Sequence, residues 1–421
     1  MDFHRIKLLP PYVFAEVNAM KAKARAAGQD IIDLGMGNPD TGTPRHIVDK
    51  LVETAQNPRA HRYSSSRGIP GLRRAIAVYY GRRFGVEVDA DTESCVTIGS
   101  KEGLASLASA MTGPGDQIYV PDPSYPIHAH GFLLVGAEIM PIKQLPGEDP
   151  SAPSGRDFMQ GFKRAVEASS KKPLAVILSY PSNPTAQIVD LDFYGEMVEF
   201  CRAKKIYILS DIAYSEIYFT ETPPPSVLQI PRAKEIAVEF TSMSKTYSMP
   251  GWRIGFATGN KQLVGALTKI KSWLDYGVFT PIQVAATAAL NGPQDCVAHI
   301  RDLYRKRRDV LVSSMAAAGW DIPSPPASMF AWAPLPKGFE HLGALEFSKL
   351  LLTEAEVAVS PGNAFGASGE GFIRIALVEN EQRIRQAARS VKKFLSQGAP
   401  DAPSARTMPS NVTPFKKAAG R

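Results

Sequence analysis

The middle of the chain alternates short β-type runs with helix-type segments, and this alternation restricts the possible folds more than any other feature of the sequence. The apolar runs SCVTIGS, DQIYVPD, LAVILSYP, IYILSD and EIAVEFTSM are interleaved with helix-type segments such as KEGLASLASAM and LDFYGEMVEFCRAKK. Near-continuous apolar strands separated by helices are typical of a parallel sheet that is covered on both faces. We therefore predict an α/β domain with a mostly parallel sheet between residues 46 and 294.

A second, smaller unit is predicted from the two ends of the chain. The segment HIRDLYRKRRDVLVSSMAAAG has the pattern of a long helix that leaves the first domain, and MFAWAPL, EVAVSPG and GFIRIALV form an α+β stretch after it. Residues 1–45 are expected to pack with residues 295–396 as a small domain. Residues 397–421 are rich in Pro, Ser and Ala and lack periodicity, which predicts a disordered tail.

The net charge of +7 raises the question of nucleic-acid binding. The densest basic run, RKRRD at residues 305–309, lies inside a helix-type segment and has no interleaved aromatic residues of the kind that stack on single strands. A solvated helix face is the better interpretation, and a basic surface attracts anionic metabolites. We therefore expect small-molecule substrates and no nucleic acid.

The sequence also carries signals about the compartment. No apolar run approaches the roughly 18 residues of a membrane span, and the stretch MDFHRIKLLPPYVF lacks the sustained apolar core of a signal peptide. Cys95, Cys201 and Cys296 are odd in number and far apart, which favours reduced thiols over a disulfide framework. These features predict a cytoplasmic protein that is not bound to a membrane.

Polar side chains with useful chemistry follow the predicted strands at the points where the strands end. In chain order they are Ser100 and Lys101 after VTIG, Asn183 after VILSYP, Asp211 and Tyr214 after IYILS, and Ser242, Ser244, Lys245 and Arg253 after VEF. Ligands in such sheets bind beyond the carboxyl ends of the strands. Ser100 and Lys101 also open a helix, where free N–H groups bind phosphate. The sequence therefore predicts one site that combines a lysine, a carboxylate and a phosphate-binding helix start.

Lys245 is the residue whose setting most needs an explanation. It stands among small hydroxyl residues in SMSKTYS, between the apolar run EIAVEF and the motif GWRIG. A reactive lysine needs a pKa near 7 instead of about 10.4, a difference of roughly 4 kcal/mol that only a constructed environment supplies. A surface lysine is the simpler alternative. SMSK also satisfies the S-x-x-K pattern of penicillin-binding proteins and serine β-lactamases, but the pattern recurs at Ser169 and Ser390, and no K-T-G or S-D-N accompanies it.

These residues together suit a phosphorylated pyridine aldehyde, which needs a lysine for a Schiff base, a carboxylate at its ring nitrogen and a cationic phosphate cradle. From about residue 10 to residue 396 the chain resembles the fold-type I, class I and II pyridoxal-phosphate-dependent aminotransferases, with the core signature Asp211, Tyr214, SMSK and GWRIG. The stretches GSKEGLA, PSYPIHAHG, AYSEIYF and DYGVFTPIQ are most similar to the bacterial glutamate–pyruvate (alanine) aminotransferases. The resemblance implies an aspartate-aminotransferase-like fold, with a seven-stranded sheet in the large domain and a smaller α+β domain.

The resemblance also implies roles for individual residues, with Lys245, Asp211 and Tyr214 as the catalytic group. Lys245 would form the Schiff base with pyridoxal 5′-phosphate and then move the proton of the substrate's α-carbon, while Asp211 would keep the ring nitrogen protonated. Asn183 and Tyr214 would hydrogen-bond the phenolic oxygen, and Tyr125 would lie against the ring. The phosphate would be held by Ser100, Lys101, Ser242, Ser244 and Arg253, and by Tyr63 reaching across from the other subunit.

Amino acids and 2-oxo acids are the implied substrates, exchanged by ping-pong transamination, and the implied assembly is a homodimer with shared active sites. Arg374 would clamp the α-carboxylate, Gly37 would leave room beside it, and Asn183 and Tyr12 would complete the substrate site. No metal is expected, because His128 and His130 lack a third ligand with suitable spacing.

Several alternatives stay open at this point. A diaminopimelate or aspartate aminotransferase of the same family would share several of the motifs, and a catalytically silent aminotransferase fold could serve as a sensing module. Asp211 could be a turn residue, Arg374 an ordinary ion-pair partner, and the tyrosines packing residues. The chain also departs from the family pattern where the common motif Asn-Pro-Thr-Gly ends in Ala186.

Overall fold

The computed structural model describes residues 3–10, 13–144 and 155–399. Tyr12, residues 145–154 and the predicted tail from residue 400 onward lie outside the described residues.

The secondary structure follows the alternation seen in the sequence. The strands are β1 (Ile32–Asp33), β2 (Ser94–Thr97), β3 (Gln117–Asp122), β4 (Glu138–Lys143), β5 (Pro173–Ser179), β6 (Tyr207–Asp211), β7 (Ala237–Ser242), β8 (Gly255–Gly259), β9 (Phe330–Pro334), β10 (Val357–Ala358), β11 (Ser360–Pro361) and β12 (Phe372–Ala376). The helices are α1 (His4–Lys7), α2 (Val13–Ala26), α3 (Arg45–Ala55), α4 (Pro70–Phe84), α5 (Ser100–Met111), α6 (Ile127–Leu133), α7 (Arg156–Ala168), α8 (Leu191–Lys204), α9 (Met243–Thr246), α10 (Lys261–Leu274), α11 (Thr280–Asn291), α12 (Asp295–Ala317), α13 (Gly343–Glu354) and α14 (Glu381–Ser396).

Within the described residues, seven strands form one large sheet in the order β2-β8-β7-β6-β5-β3-β4. Strands β3 to β7 pair in parallel, while β8 runs antiparallel to both β7 and β2. The mostly parallel, seven-stranded sheet expected for this fold class is therefore confirmed. The sequence pattern did not indicate β4 or β8, because β4 is an edge strand with exposed positions and a proline, and β8 (GFATG) is short and glycine-rich.

Alternate residues of the central strands contribute to two separate cores. Val176 and Leu178 of β5 pack with side chains of α4, α7, α8 and α11, whereas Ala175 and Ile177 pack with side chains of α5, α6 and α10. Successive side chains of a strand point to opposite faces of the sheet. A strand that is apolar throughout must therefore be covered on both faces, which is what the continuous apolar runs predict.

Local sequence sets the ends of the helices. The Asp190 side chain accepts a hydrogen bond from Phe193 N at 2.9 Å at the start of α8, and the Asn260 side chain accepts one from Leu263 N at 3.0 Å at the start of α10. Such caps satisfy N–H groups that the first helical turn leaves without partners. Helix α4 ends at Gly85, whose φ of 66° lies in the region that favours glycine.

Smaller sheets join the two ends of the chain. Strand β1 pairs in parallel with β10, so that Ile32 lies opposite Val357, and β12 pairs antiparallel with both β9 and β11. A core that includes Trp320, Phe347 and Phe394 lies between these strands and the helices α12, α13 and α14. Helices α3 and α12 begin close to the two predicted domain boundaries, and the division into domains stays a prediction.

Candidate active site

The antiparallel direction of β8 decides where the site forms. Gly255, at the start of β8, lies opposite both Ser242 at the end of β7 and Thr97 at the end of β2. The segment that precedes β8 therefore shares an edge of the sheet with the segments that follow β2 and β7. Lys245, Arg253 and the start of α5 consequently meet at this edge, as the sequence predicts.

The start of α5 and Arg253 together form an anion cradle. Gly99 occupies the N-cap position with a φ of 79°, and among the described residues no side chain caps this helix. A Cβ atom at Gly99 would overlap the guanidinium group of Arg253, so glycine is what allows the two to approach so closely. The N–H groups of the first turn and the guanidinium group both favour an anion such as phosphate. Ser100 opens the helix at this point.

Hydroxyl groups fix the turn between β7 and Lys245. Ser242 ends β7 and caps the short helix α9, because its side chain accepts a hydrogen bond from Ser244 N at 3.2 Å. Each of these serines is 5% exposed. Since β7 and β2 end at the same edge, these two serines lie at the edge of the sheet where α5 begins.

Lys245 has the environment that a reactive lysine needs. Its Nζ atom donates a hydrogen bond to Gly37 O at 2.8 Å. Burial, followed by the positive charges of Arg374 and Arg253, lowers the pKa of Lys245 from 10.5 to about 8. A substantial fraction of this amine is therefore neutral near physiological pH, when it can act as a base or a nucleophile.

Asp211 ends β6 and is paired with a histidine that the sequence analysis considered only as a metal ligand. Asp211 Oδ2 lies 3.0 Å from His128 Nε2, and Asp211 Oδ1 accepts a hydrogen bond from Ala213 N at 3.1 Å. An ionised carboxylate only accepts, which assigns the proton to His128 Nε2. His128 has no exposed surface and Asp211 is 7% exposed, so the pair holds the carboxylate in one orientation. His128 and Asp211 lie 83 residues apart in the chain, so no local sequence pattern indicated their pairing.

Arg374 is held in place before any ligand arrives. Its Nη1 donates to Asn183 Oδ1 at 2.9 Å and its Nη2 donates to Gly35 O at 2.8 Å. The guanidinium carbon lies 4.1 Å from the ring centroid of Phe330 and 4.5 Å from that of Phe365. The aromatic rings and the two acceptors fix the plane of the guanidinium group, which is the geometry that carboxylate recognition requires.

Phe330 is a residue of the site that the sequence analysis did not identify. The ring of Tyr214 packs edge-on against it, with centroids 5.6 Å apart, and burial raises the pKa of the Tyr214 hydroxyl. A Cβ atom at Gly37 would overlap the Phe330 ring. Gly37 was expected to leave room for a substrate carboxylate, and the structure gives part of that room to Phe330.

The other predicted residues fall into two groups. Tyr125 is half-buried, stands edge-on to His128 with ring centroids 6.0 Å apart, and has a hydroxyl pKa that burial raises. Lys101 Nζ lies 5.8 Å from the centroid of the Tyr125 ring. Tyr63, in contrast, is 87% exposed and its ring packs against Tyr276. Tyr63 thus stands apart from the contacts that link the other predicted residues, and Tyr12 lies outside the described residues.

The segment at residues 35–43 carries the two carbonyl groups that accept from Arg374 and Lys245. Thr43 Oγ1 donates to Ser248 O at 2.7 Å, and the Asp40 carboxylate accepts two hydrogen bonds from Arg307, each at 2.7 Å. A bidentate pair of this kind fixes orientation as well as distance. The sequence analysis did not identify these anchors, because their partners are 205 and 267 residues apart in the chain.

The part of the chain that the structure describes carries neither a candidate metal centre nor a candidate membrane span. No group of three or more His, Cys, Asp or Glu side chains there could hold a metal ion. No helix there is both long and apolar enough to cross a membrane.

The site therefore combines a lysine, an arginine, a carboxylate and an anion cradle at one sheet edge. Residues 29–391 match the family model described as aminotransferase class I and II. This chain belongs to the class I and II aminotransferase family. The family predicted from the sequence is confirmed, and the chain is accordingly an enzyme that transfers nitrogenous groups.

The relatives of this aminotransferase span nearly the whole chain. It is 60% identical over 395 residues to the AatC protein of Rhizobium meliloti (strain 1021), covering 94% of this chain and 96% of that protein. It is 50% identical over 390 residues to the glutamate-pyruvate aminotransferase AlaC of Escherichia coli (strain K12), covering 93% of each. Identity to the LL-diaminopimelate aminotransferase of Moorella thermoacetica is 40% over 398 residues, covering 94% of this chain and 99% of that enzyme.

Solved structures show the same fold. The aminotransferase superposes on substrate-bound BacF of Bacillus subtilis with a TM-score of 0.87 and 32% identity, covering 94% of this chain and 98% of that one. A variant of the aspartate aminotransferase of Thermus thermophilus gives a TM-score of 0.85 and 26% identity, covering 94% and 100%. The aspartate-aminotransferase-like fold predicted from the sequence is therefore confirmed.

One departure of this aminotransferase from the family pattern has a visible backbone consequence. Ala186, which replaces the glycine of the common Asn-Pro-Thr-Gly motif, has a φ of 58°. Side chains other than glycine adopt this left-handed conformation at a cost of roughly 1 kcal/mol. The turn beside Asn183 therefore keeps a conformation that favours glycine although the residue has changed.

Proposed function

We propose that this aminotransferase uses pyridoxal 5′-phosphate to exchange amino groups between glutamate and pyruvate, in a ping-pong reaction that yields 2-oxoglutarate and alanine. One observation carries the proposal: the Lys245 amine, with its pKa lowered to about 8, lies among a buried arginine, a buried carboxylate and an anion cradle. The 50% identity to the glutamate-pyruvate aminotransferase AlaC supports the choice of substrates, and the identity to an LL-diaminopimelate aminotransferase is lower, at 40%.

The donor set fits this cofactor. Cations and N–H and hydroxyl donors gather at one edge and would hold the phosphate, while Asp211 would serve the ring nitrogen and Tyr125 would lie against the ring. Asn183 and Tyr214 would serve the phenolic oxygen. When bound, the cofactor supplies an aldehyde that takes up the amino group and a ring that withdraws electrons from the α-carbon. The residues proposed to hold the phosphate are Ser100, Lys101, Ser242, Ser244 and Arg253.

Lys245 is proposed to carry the proton that the reaction moves. With a pKa of about 8, its amine is neutral in about a quarter of the molecules at pH 7.5, against about one in a thousand for a pKa of 10.5. The neutral Nζ atom can accept the proton of the substrate's α-carbon. Gly37 O, 2.8 Å away, holds the amine in position and accepts a hydrogen bond from it.

Asp211 is proposed to keep a proton at the cofactor's ring nitrogen. Its carboxylate is stabilised by the donors His128 Nε2 and Ala213 N, one on each oxygen. Each oxygen keeps a second lone pair for a further donor. His128 therefore acts on the orientation of the carboxylate, and Asp211 on the charge of the ring.

Arg374 is proposed to bind the α-carboxylate of amino acids and 2-oxo acids. A hydrogen bond between charged groups contributes about 1.5–3 kcal/mol, and a fixed guanidinium plane converts this energy into orientation of the α-carbon. Asn183 and Gly37 border the same position through their contacts with Arg374 and Phe330. Tyr12 completes the proposed substrate site.

We also propose that the enzyme is a cytoplasmic homodimer whose subunits share their active sites. Three large apolar side chains close together in the sequence, and a fourth whose ring packs on one of them, are strongly exposed. Their exposed fractions are 85% for Trp273, 65% for Leu274, 62% for Tyr276 and 87% for Tyr63, which packs on Tyr276. Clusters of this kind mark interaction surfaces, and Tyr63 could reach a second subunit from this one. The free cysteines support the location in a reducing compartment.

The proposal is tested by the visible absorption spectrum of the purified protein incubated with pyridoxal 5′-phosphate. We expect a visible band that disappears when L-glutamate is added and returns with pyruvate, and we expect the Lys245→Ala variant to lack this cycle. A band that LL-diaminopimelate or aspartate removes and glutamate does not would retain the cofactor and replace the substrates. A protein that stays colourless would contradict the cofactor assignment.

A further inference from the structure

Lys271 of α10 is a fully buried ammonium group that the proposed reaction does not use. Its side chain has no exposed surface, and its Nζ atom lies 3.2 and 3.1 Å from the two carboxylate oxygens of Glu102 and 2.8 Å from Asp275 Oδ2. Burying a charge is costly unless the charge is paired and hydrogen-bonded. The two contacts explain how Lys271 can remain buried, and the groups beyond them indicate what it positions.

The first contact leads to the start of α5. Glu102 Oε2 accepts a hydrogen bond from Ile98 N at 2.7 Å, and Glu102 Oε1 accepts one from Ser106 Oγ at 2.6 Å. Ile98 directly precedes Gly99, so Glu102 fixes the chain where it enters the anion cradle. A carboxylate in the first turn of this helix would also repel an incoming phosphate, and Lys271 supplies the opposite charge that offsets the repulsion.

The second contact leads to the segment at residues 63–66. Asp275 Oδ1 accepts a hydrogen bond from Gly277 N at 2.6 Å, and Asp275 O accepts one from Ser66 Oγ at 2.9 Å. Gly277 has a φ of 82°, and a Cβ atom there would overlap Ser65 O, so this turn packs tightly on the 63–66 segment. The segment begins with Tyr63, the exposed residue proposed to reach the partner subunit.

We propose that Lys271 is a positioning residue for phosphate recognition that acts in two sites at once. Through Glu102 it orients the anion cradle of its own subunit, and through Asp275 it orients the segment that Tyr63 extends toward the other subunit. The inference rests on the proposed function, because both arms end at groups proposed to hold the phosphate of the cofactor. In a dimer, one buried ammonium group in each subunit links the two phosphate sites.

The proposal is tested by comparing two ligands that differ only in the phosphate. The dissociation constants of pyridoxal 5′-phosphate and pyridoxal are measured by spectroscopic titration of the full-length protein after removal of any bound cofactor. We expect Lys271→Met to raise the Kd of pyridoxal 5′-phosphate by about tenfold, the loss of roughly one charge-assisted contact, and that of pyridoxal by less than about twofold.

Further variants separate the two arms and supply the control. Asp275→Asn weakens the second arm alone and should raise the Kd of pyridoxal 5′-phosphate severalfold, which keeps the proposal testable if Lys271→Met fails to fold. Lys234→Met is the matched control, because Lys234 pairs with Glu93 at 2.9 Å and contacts no group of either arm. It should change neither dissociation constant.

The outcomes separate this inference from the proposed function. Equal weakening of both ligands, or unchanged Kd values in the variants of Lys271 and Asp275, would overturn the role of Lys271 while leaving the cofactor assignment intact. A wild-type protein that binds pyridoxal as tightly as pyridoxal 5′-phosphate would contradict the phosphate cradle itself, and with it the proposed function.

Hybrid dimers test the arm that reaches the other subunit. One subunit of the hybrid carries both Lys245→Ala and Lys271→Met, and the other subunit is wild type. The site of the wild-type subunit keeps its own Lys245 and Lys271. The Tyr63 segment that would reach this site belongs to the variant subunit, where Lys271 no longer supports it. The affinity of the wild-type site for pyridoxal 5′-phosphate should be severalfold lower than in a hybrid that carries Lys245→Ala alone. Equal affinities, or a protein that is monomeric in sedimentation, would overturn this arm of the proposal.

Discussion

The pKa of Lys245 can be perturbed by removing one charge, and the direction of the change can be worked out from the structure. Burial is the largest cause of the decrease from 10.5 to about 8, followed by Arg374 and then Arg253. All three causes lower the pKa and burial is the largest of them, so Arg374 accounts for less than half of the decrease. Arg374→Gln should therefore raise the pKa of Lys245 part of the way back toward its ordinary value of 10.5.

Competitive labelling measures this change directly. The protein without cofactor is treated with a trace of acetic anhydride between about pH 6.5 and 10, and acetylation of Lys245 is followed by peptide mass spectrometry against a free amine standard. At pH 7.5 about a quarter of the wild-type amine is neutral, and a smaller fraction should be neutral in Arg374→Gln, so labelling should slow severalfold. At pH 10 and above, where both amines are neutral, the rates should converge.

Arg383→Gln provides the control. Arg383 forms a bidentate pair with Asp30 and is not among the groups that influence the pKa of Lys245. This variant should label like the wild type. A wild-type pKa near 10.5 would refute the role of burial, and equal pKa values in Arg374→Gln and the wild type would refute the electrostatic contact between the two cations.

Three further predictions concern other parts of the molecule. Burial raises the pKa of the Glu239 carboxyl in β7 to about 7. The unfolded chain therefore releases this proton near pH 4.5 while the folded protein keeps it, and the free energy of unfolding should decrease by up to about 3 kcal/mol between pH 4.5 and 7; denaturation of Glu239→Gln should lack this decrease. Under the proposed function, Asp211→Asn would remove the negative charge that faces the ring nitrogen and would weaken the bond to His128, so kcat/KM for glutamate should fall by about 10- to 100-fold in steady-state assays; an undiminished rate would exclude the proposed role. Trp320→Ala should lower the free energy of unfolding by about 3–5 kcal/mol, because the indole is 1% exposed and packs on Phe347; a loss below about 1 kcal/mol in denaturant titrations would show that the core closes over the space.

The fold could be predicted where the burial of a strand is visible in its own sequence as a run of apolar residues. Strands β3, β5, β6 and β7 are covered on both faces, and such strands are mostly apolar, which the sequence displays directly. The buried Glu239 of β7 is an exception. Strand β8 has no such apolar run, since its sequence GFATG is equally compatible with a loop. Its antiparallel direction depends on pairing with β2, which lies about 160 residues earlier in the chain.

The site was predictable wherever its residues follow the strands. Lys245, Asp211, Asn183 and Ser100 could be recognised because parallel strands bring the residues that follow them to one edge. His128 and Phe330 could not, because each lies in an element of its own and meets Asp211 or Arg374 only through tertiary packing. The contacts of the 35–43 segment likewise could not be predicted, because they join residues more than 200 positions apart in the chain.

Arg374 meets an incoming carboxylate with two of its nitrogen atoms already hydrogen-bonded to the protein. Gly35 O and Asn183 Oδ1, both neutral carbonyl oxygens, accept from it at 2.8 and 2.9 Å. A guanidinium group has five N–H donors, so a carboxylate can bind to it without displacing these two acceptors. Folding has already restricted the rotamers of the arginine side chain, so binding loses little further conformational entropy. Under the proposed function, the energy of the charged hydrogen bonds is therefore available to orient the acid.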